Sequence, residues 1–120
     1  MEMGAGVGTV AAALPPYAAL TLVDADPMLA AVLERRFPDA DVRSTDALRV
    51  ADPCDVLLAN LPGFLSERLL AGLPGRRFRT AVLALPEGVE PGGARRVGRL
   101  EPEDFRPPAP EPSVLWRLDR

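Results

Sequence analysis

The sequence predicts a single α/β domain built on a mostly parallel sheet, and two patterns support this prediction. Apolar runs without charge at residues 19–23, 56–59 and 80–86 each end at a turn signal, and amphipathic segments separate them. Continuous apolar strands are typical of a parallel sheet that carries helices on its faces. At 120 residues the chain is long enough to form one hydrophobic core.

Local signals place the first elements. Residues 1–3 have room only for the stub of a strand, and residues 8–14 for a short helix after it. A longer helix follows the strand at residues 19–23, because Asp26 can cap it and Pro27 suits its first turn. One apolar stripe at helical spacing then runs through Leu29, Val32, Leu33 and Phe37.

The later segments continue the strand–helix alternation and then depart from it. A short strand lies within residues 41–48, a helix within 64–75 and a closing strand within 113–120. Residues 86–96 read PEGVEPGGARR and contain no helical pattern, whereas a parallel crossover normally needs a helix. We therefore expect the strand near residues 97–100 to pair antiparallel or to be poorly formed. Residues 102–112, with five of the 14 prolines, predict an extended segment.

Composition excludes several classes of function. The chain has no histidine, which excludes Ser-His-Asp catalysis and histidine metal ligands. Cys54 is the only cysteine, so no internal disulfide can form, and this fits a cytoplasmic protein. The net charge is −3, and we interpret the arginine clusters at residues 35–36, 76–79 and 95–99 as solvated surface. Residues 4–23 are uncharged, but Pro15 and Pro16 interrupt them, so we expect no membrane association.

Three glycines follow the first strand stub at alternate positions, Gly4, Gly6 and Gly8. The dinucleotide fingerprint G-x-G-x-x-G would place its third glycine at Thr9, so an NAD-linked oxidoreductase is the weaker interpretation. Glycines after a strand still let the backbone turn tightly and let a ligand approach it. Asp24 ends the next strand, where a carboxylate accepts hydrogen bonds from ribose hydroxyls. It could instead only end the strand, but Asp26 is the better helix cap, which would leave Asp24 free for a ligand.

Two further segments are predicted to reach the same edge of the sheet. Asp46 follows the next strand, where its carboxylate can read an adenine edge, although an isolated aspartate is also a common turn residue. The segment ANLPGF, residues 59–64, ends the strand at residues 56–59. The carboxyl ends of parallel strands are where such sheets bind ligands, so we expect these segments to line one pocket.

Together these segments resemble a class I S-adenosylmethionine-dependent methyltransferase, and most closely the rRNA adenine N6-dimethyltransferase family, which includes the erythromycin-resistance methylases. The family pattern has E-x-G-x-G-x-G-T, an acidic pair, D-A-L, N-L-P and a late proline-rich segment. Its counterparts here are residues 2–9, 24–26, 46–48, 60–62 and 105–118. The resemblance implies a compact Rossmann-like methyltransferase sheet, mostly parallel with an antiparallel C-terminal strand, and minimal helices.

The resemblance also implies roles for these residues. The cofactor would be S-adenosylmethionine, with Asp24 holding its ribose and Asp46 facing its adenine amino group. The methionine part would be lined by Glu2, Gly4, Gly6 and Gly8. The substrate amine would be received beside the cofactor by Asn60, Leu61, Pro62 and Phe64, and Asn60 would also contact the cofactor.

The chain departs from the family pattern at the acceptor side. Gly63 replaces an aromatic residue that, in the family, stacks on the flipped-out adenine. Phe64 could turn in to replace that ring, or it could pack in the core. The family's C-terminal helical RNA-binding domain has no counterpart here, so residues 1–120 are expected to form one methyltransferase-like domain with a truncated first strand.

We therefore expect a S-adenosylmethionine-dependent N-methyltransferase that acts on adenine in rRNA or on a small-molecule amine. The alternative is a truncated, non-catalytic module that binds cofactor or a partner. Uncovered sheet edges would then favour self-association.

Overall fold

The computed structural model describes residues 1–120 and contains one seven-stranded sheet with three short helices. In chain order the strands are β1 (Glu2–Met3), β2 (Thr21–Asp24), β3 (Asp41–Ser44), β4 (Cys54–Ala59), β5 (Phe78–Pro86), β6 (Arg95–Leu100) and β7 (Ser113–Asp119). The helices are α1 (Thr9–Ala13), α2 (Pro27–Arg36) and α3 (Ser66–Gly72). Short 3-10 turns occupy Ala47–Arg49, Gly63–Leu65, Leu73–Gly75 and Pro102–Asp104. No helix combines the length and hydrophobicity needed to span a bilayer.

The strand order is β3-β2-β1-β4-β5-β7-β6. Strands β1 to β5 pair in parallel, and β7 pairs antiparallel with both β5 and β6. The predicted mostly parallel sheet with an antiparallel C-terminal strand is therefore confirmed. The chain winds outward in one direction from β1 through β3 and then returns to start β4 on the other side of β1. Such a reversal opens a crevice at the carboxyl ends of the strands, which is where α/β sheets bind ligands.

The connection between β5 and β6 explains the antiparallel end of the sheet. Residues 87–94 form turns without a helix, so they cannot carry the chain across a face to a parallel position. The expected strand near residues 97–100 is formed as β6, which begins at Arg95 and pairs antiparallel at the sheet edge. A register irregularity lies between Arg96 and Gly98, and Val97 at that point is exposed.

The hydrophobic core lies on both faces of the parallel strands. On one face Met3, Val23, Ala59 and Leu83 are aligned across four neighbouring strands and are buried, and Leu69 of α3 packs in the same cluster. This alignment holds the carboxyl ends of the strands side by side. The opposite face is covered by a smaller cluster that includes Leu22, Leu33, Ala5 and Ala11.

Several element boundaries differ from the predicted ones. Strand β2 begins at Thr21 rather than at residue 19, which is exposed and unpaired, and β4 begins two residues earlier than predicted. In α2 the buried stripe is narrower than predicted, with Ala30 and Leu33 buried and Leu29 and Val32 half-buried. The segment at residues 102–112 contains a 3-10 turn at its start and no other regular structure.

Candidate functional site

A cavity of about 240 Å³ lies at the carboxyl ends of the central parallel strands. Six of its lining residues were predicted from the sequence, namely Gly4, Asp24, Asp46, Asn60, Leu61 and Pro62. They follow or end four different strands, β1 to β4, so the predicted convergence of these segments is confirmed by the structure. The remaining lining residues are Ala25, Ala47, Leu48 and Leu65.

The glycine loop, residues 4–8, is held across the end of β2 by its own backbone. The amides of Gly4 and Ala5 both donate to the Val23 carbonyl, at 2.8 and 3.0 Å. Gly4 has a φ of +73°, and a Cβ there would lie 2.6 Å from Cδ2 of Leu61. Glycine at this position therefore allows Leu61 to approach the loop and close one wall of the cavity.

The other two glycines are not part of the cavity lining. The Gly6 amide donates to Oδ2 of Asp24 at 2.9 Å, so Gly6 acts on the site through that carboxylate. Gly8 precedes α1 with a φ of +87°, and a Cβ there would overlap the ring of Phe37. Gly8 thus permits α1 to pack on the end of α2 rather than contacting the cavity.

The sequence suggested that the Asp24 carboxylate would be free for a ligand, but in the structure both of its oxygens accept backbone hydrogen bonds. Its Oδ2 accepts from Gly6 and its Oδ1 accepts from the Asp26 amide, each at 2.9 Å. The glycine loop folds back onto β2, and this long-range contact has no local signal in the sequence. Each carboxylate oxygen retains a further lone pair, so Asp24 can still accept bonds from hydroxyl groups in the cavity. The predicted cap at Asp26 is confirmed, since its side chain accepts from the Met28 amide at 2.8 Å.

Asp46 is a turn residue, which is one of the two interpretations that its sequence position allowed, and it also lines the cavity. Its Oδ1 accepts from the Leu48 amide at 3.0 Å and so caps the turn at Ala47–Arg49. Its Oδ2 makes only a long ion pair with Arg68, at 3.7 Å. One oxygen therefore shapes the turn, while the second lacks a short hydrogen bond within the protein.

The segment after β4 forms the remaining wall. Asn60, Leu61 and Pro62 line the cavity, and Leu65 joins them from the 3-10 turn at Gly63–Leu65. Phe64 is 82% exposed, so the alternative in which it packs in the core is wrong. Within this turn Leu65 contributes to the cavity lining and Phe64 projects into solvent.

Gly63 lies next to the C-terminal segment and to the end of β5. A Cβ at Gly63 would lie 3.0 Å from Oε1 of Glu111 and 3.1 Å from Cγ of Pro86. The exposed Glu111 side chain and the end of β5 thus occupy space next to position 63.

Glu2 is buried in the sheet and does not line the cavity. It is 4% exposed, and its Oε2 has no hydrogen-bond partner. In the parallel register Glu2 is level with Leu22 and Leu58, so its side chain shares their apolar face of the sheet. Burial raises the pKa of this carboxyl to about 7, and the nearby N-terminal ammonium opposes the shift.

The four lining residues that were not singled out as site residues are apolar neighbours of those that were. Ala25 follows Asp24, Ala47 and Leu48 follow Asp46, and Leu65 lies three residues after Pro62. Their positions beside chemically distinctive residues were the available signal. Alanines and leucines occur throughout the chain, so residue type alone could not distinguish them.

No family model matches the chain. A curated relative, ribosomal RNA small subunit methyltransferase A of Gloeobacter violaceus, is 34% identical over an alignment of 117 residues. The match covers 83% of this chain and 43% of the relative, so the chain spans less than half the length of the curated protein that it matches.

Solved methyltransferase structures share the fold. The 23S rRNA methyltransferase ErmE superposes with a TM-score of 0.85 at 19% identity, over 99% of this chain and 59% of that chain. A dimethyladenosine transferase from Plasmodium falciparum gives 0.83 at 22% identity, over 98% and 54%. Magnesium protoporphyrin IX methyltransferase from Synechocystis, solved with bound S-adenosylmethionine, gives 0.69 at 11% identity, over 99% and 68%. The predicted methyltransferase fold is therefore confirmed.

Replacing Glu2 by glutamine should remove one pH-dependent component of stability. Folding raises the pKa of Glu2 from its ordinary value of 4.5 to about 7, so the folded chain binds this proton more tightly than the unfolded chain. The contribution of Glu2 to the free energy of unfolding should therefore decrease as pH rises between those two values and be level above them. The decrease should be on the order of 3 kcal/mol.

Urea unfolding across this pH interval measures the effect. The Glu2→Gln variant should lack the decrease while retaining the contributions of every other titratable group. The same downward slope in both proteins would show that Glu2 is not the group responsible.

Proposed function

We propose that this chain, which is rRNA adenine dimethyltransferase-like in sequence and methyltransferase in fold, binds S-adenosylmethionine and transfers its methyl group to the N6 amine of adenine in rRNA. The observation that carries the proposal is the convergence of the segments after β1, β2, β3 and β4 on one cavity at the reversal of strand order. The rRNA substrate is suggested by the curated relative of 34% identity.

The chemistry of the cavity wall fits a nucleoside cofactor with a charged tail. Asp24 accepts hydrogen bonds from the ribose hydroxyls through the lone pairs that the amides of Gly6 and Asp26 leave available. Asp46 accepts a hydrogen bond from the adenine amino group, and the apolar side chain of Leu48 contacts the base. Gly4 leaves room beside the backbone for the methionine part, and Gly6 and Gly8 position this loop.

When bound, the cofactor supplies an electrophilic methyl group on its sulfonium. The chain's own contribution is to orient the acceptor amine. The side-chain oxygen of Asn60 and the backbone carbonyls at Leu61 and Pro62 accept hydrogen bonds from the amine N–H groups. These bonds direct the nitrogen lone pair toward the cofactor. Such positioning supplies most of the acceleration, so the absence of histidine is no obstacle. The proton lost from the amine passes to solvent, to which Asn60 is exposed.

Phe64 supplies the aromatic surface for the target base. It is 82% exposed and follows the acceptor segment, so its ring is accessible to a base that enters from solvent.

Gly63, in the position of the family's aromatic residue, favours a second candidate substrate. A small-molecule amine needs no stacking ring, and Asn60 would orient it in the same way.

An Asp24→Asn variant tests cofactor binding. The substitution keeps the size of the side chain but removes its charge and one acceptor oxygen. Hydrogen bonds to a charged group are worth about 1.5–3 kcal/mol, so the affinity for S-adenosylhomocysteine should fall about 10- to 150-fold by calorimetry. Asp55→Asn is the matched control, because Asp55 lies at the amino end of β4 and its side chain is 84% exposed.

Wild-type protein that is folded and shows no saturable binding would reject the cofactor assignment. Equal affinities for the two aspartate variants would reject the role of Asp24. Binding without methyl transfer to either rRNA or small amines would instead favour the non-catalytic alternative.

A Phe64→Leu variant tests the acceptor. Base–aromatic stacking is worth about 1–3 kcal/mol, so transfer of labelled methyl to a small-subunit rRNA transcript should fall about 5- to 150-fold in kcat/KM. The affinity for S-adenosylhomocysteine should stay unchanged. Tyr17→Leu, at another exposed aromatic residue, serves as the control. Unchanged transfer in Phe64→Leu would exclude Phe64 as the stacking residue.

A further inference from the structure

Arg76 is a buried cation that has no acidic partner. Only 9% of the residue is exposed, and its guanidinium forms no salt bridge. It donates instead to backbone carbonyls. Nη2 donates to Leu48 at 2.8 Å and to Ala47 at 3.4 Å, and Nη1 donates to Val50. One side chain thus donates hydrogen bonds to three carbonyls of a single turn of the chain.

That turn is the part of the candidate site that follows β3. Asp46, Ala47 and Leu48 line the cavity, and the 3-10 turn runs from Ala47 to Arg49. A helical turn leaves carbonyls without partners at its C-terminal end, and cations are favoured there. Asp46 caps the start of the turn and the Arg76 guanidinium caps its end, so the turn is held at both ends by side chains.

The backbone of Arg76 is itself fixed. Its amide donates to the Leu73 carbonyl at 3.0 Å. Arg120 donates to the carbonyls of Arg76 and Leu73, at 2.6 and 2.8 Å, and its guanidinium lies 4.2 Å from the centre of the Phe78 ring. These contacts anchor the segment before β5, so the guanidinium of Arg76 approaches the turn from a rigid base.

We propose that Arg76 is a positioning residue that sets the specificity of the cavity for a 6-aminopurine. It acts through the turn at residues 47–49, whose position determines where the Asp46 carboxylate and the Leu48 side chain meet the base. Arg76 does not line the cavity, so it does not touch the ligand itself. The inference rests on the proposed function for the identity of the ligand, and on the hydrogen bonds above for the action of Arg76.

The test compares two ligands that differ only at the purine 6-position, S-adenosylhomocysteine and its inosine analogue, which carries oxygen in place of the amino group. Wild-type protein should prefer the adenine ligand, because Asp46 accepts from an amino group and repels a carbonyl. In Arg76→Met, which keeps an apolar stem but no donors, the preference should shrink about tenfold. Arg76→Lys should recover part of it, and the exposed neighbour Arg77→Met should match wild type.

Two results would overturn the proposal. The first is wild-type affinity for both ligands in Arg76→Met, which would show that Arg76 does not act on the cavity. The second is an equal loss of affinity for both ligands, which leaves the adenine preference unchanged and would indicate a general structural role rather than a role in specificity. If wild-type protein binds neither ligand, the proposed function fails, and the turn is then tested without a ligand.

Amide hydrogen exchange in the free protein supplies that ligand-independent measurement. The amides of Leu48, Arg49 and Val50 bond within the turn, and they should exchange about tenfold faster in Arg76→Lys than in wild type. Amides in β4 and β5 should be unaffected, as should the turn in Arg77→Met. Turn amides that exchange at the wild-type rate in Arg76→Lys would show that Arg76 does not hold the turn. This variant keeps the positive charge, so the test remains available if Arg76→Met does not fold.

Discussion

The site depends on the attachment of the glycine loop to the end of β2. Three amides, those of Gly4, Ala5 and Gly6, donate to Val23 and Asp24, and together they fold the loop across the neighbouring strand. Without this attachment the loop would be free to extend away from the sheet, and the cavity between β1 and β4 would lose a wall. The same contact orients the Asp24 carboxylate, so a backbone constraint and a candidate ligand group have one origin.

The attachment works because the parallel strands end side by side. Met3, Val23 and Ala59 are in register on a buried face, and that packing fixes the level at which each following loop begins. The loops then need only short segments to reach one another. Gly4 contributes by its lack of a side chain, since any Cβ would displace Leu61 from the cavity wall.

Much of this arrangement follows from local sequence signals. The cap at Asp26, the apolar runs and the lack of a helical pattern in residues 86–96 predict the element order and the antiparallel end of the sheet, because each depends on a few adjacent residues. Strand ends in a parallel sheet meet at one edge, so the positions of Asp24, Asp46 and Asn60 were also predictable.

What the sequence could not predict depends on contacts between distant residues. Arg76 was interpreted as solvated surface with its neighbours, yet it is buried because the turn at residues 47–49 lies over it. The partners of Asp24 and the exposure of Phe64 likewise follow from the path of other segments.

Glu2 and Arg76 are both buried ionisable groups without a salt bridge, and they differ in how the cost of burying a charge is reduced. Glu2 favours its neutral form, whereas Arg76 keeps its charge among carbonyl oxygens.

The most direct test of a single cofactor cavity is a map of backbone amide chemical shifts during titration with S-adenosylhomocysteine. The largest changes should occur at the amides of Gly4, Gly6, Ala25, Leu48 and Asn60, which come from the four segments around the cavity. A second groove lies between Pro53–Asp55 and Arg77–Arg79, at the amino ends of β4 and β5. Shift changes confined to that groove would contradict the account, as would an absence of any shift change at high ligand concentration.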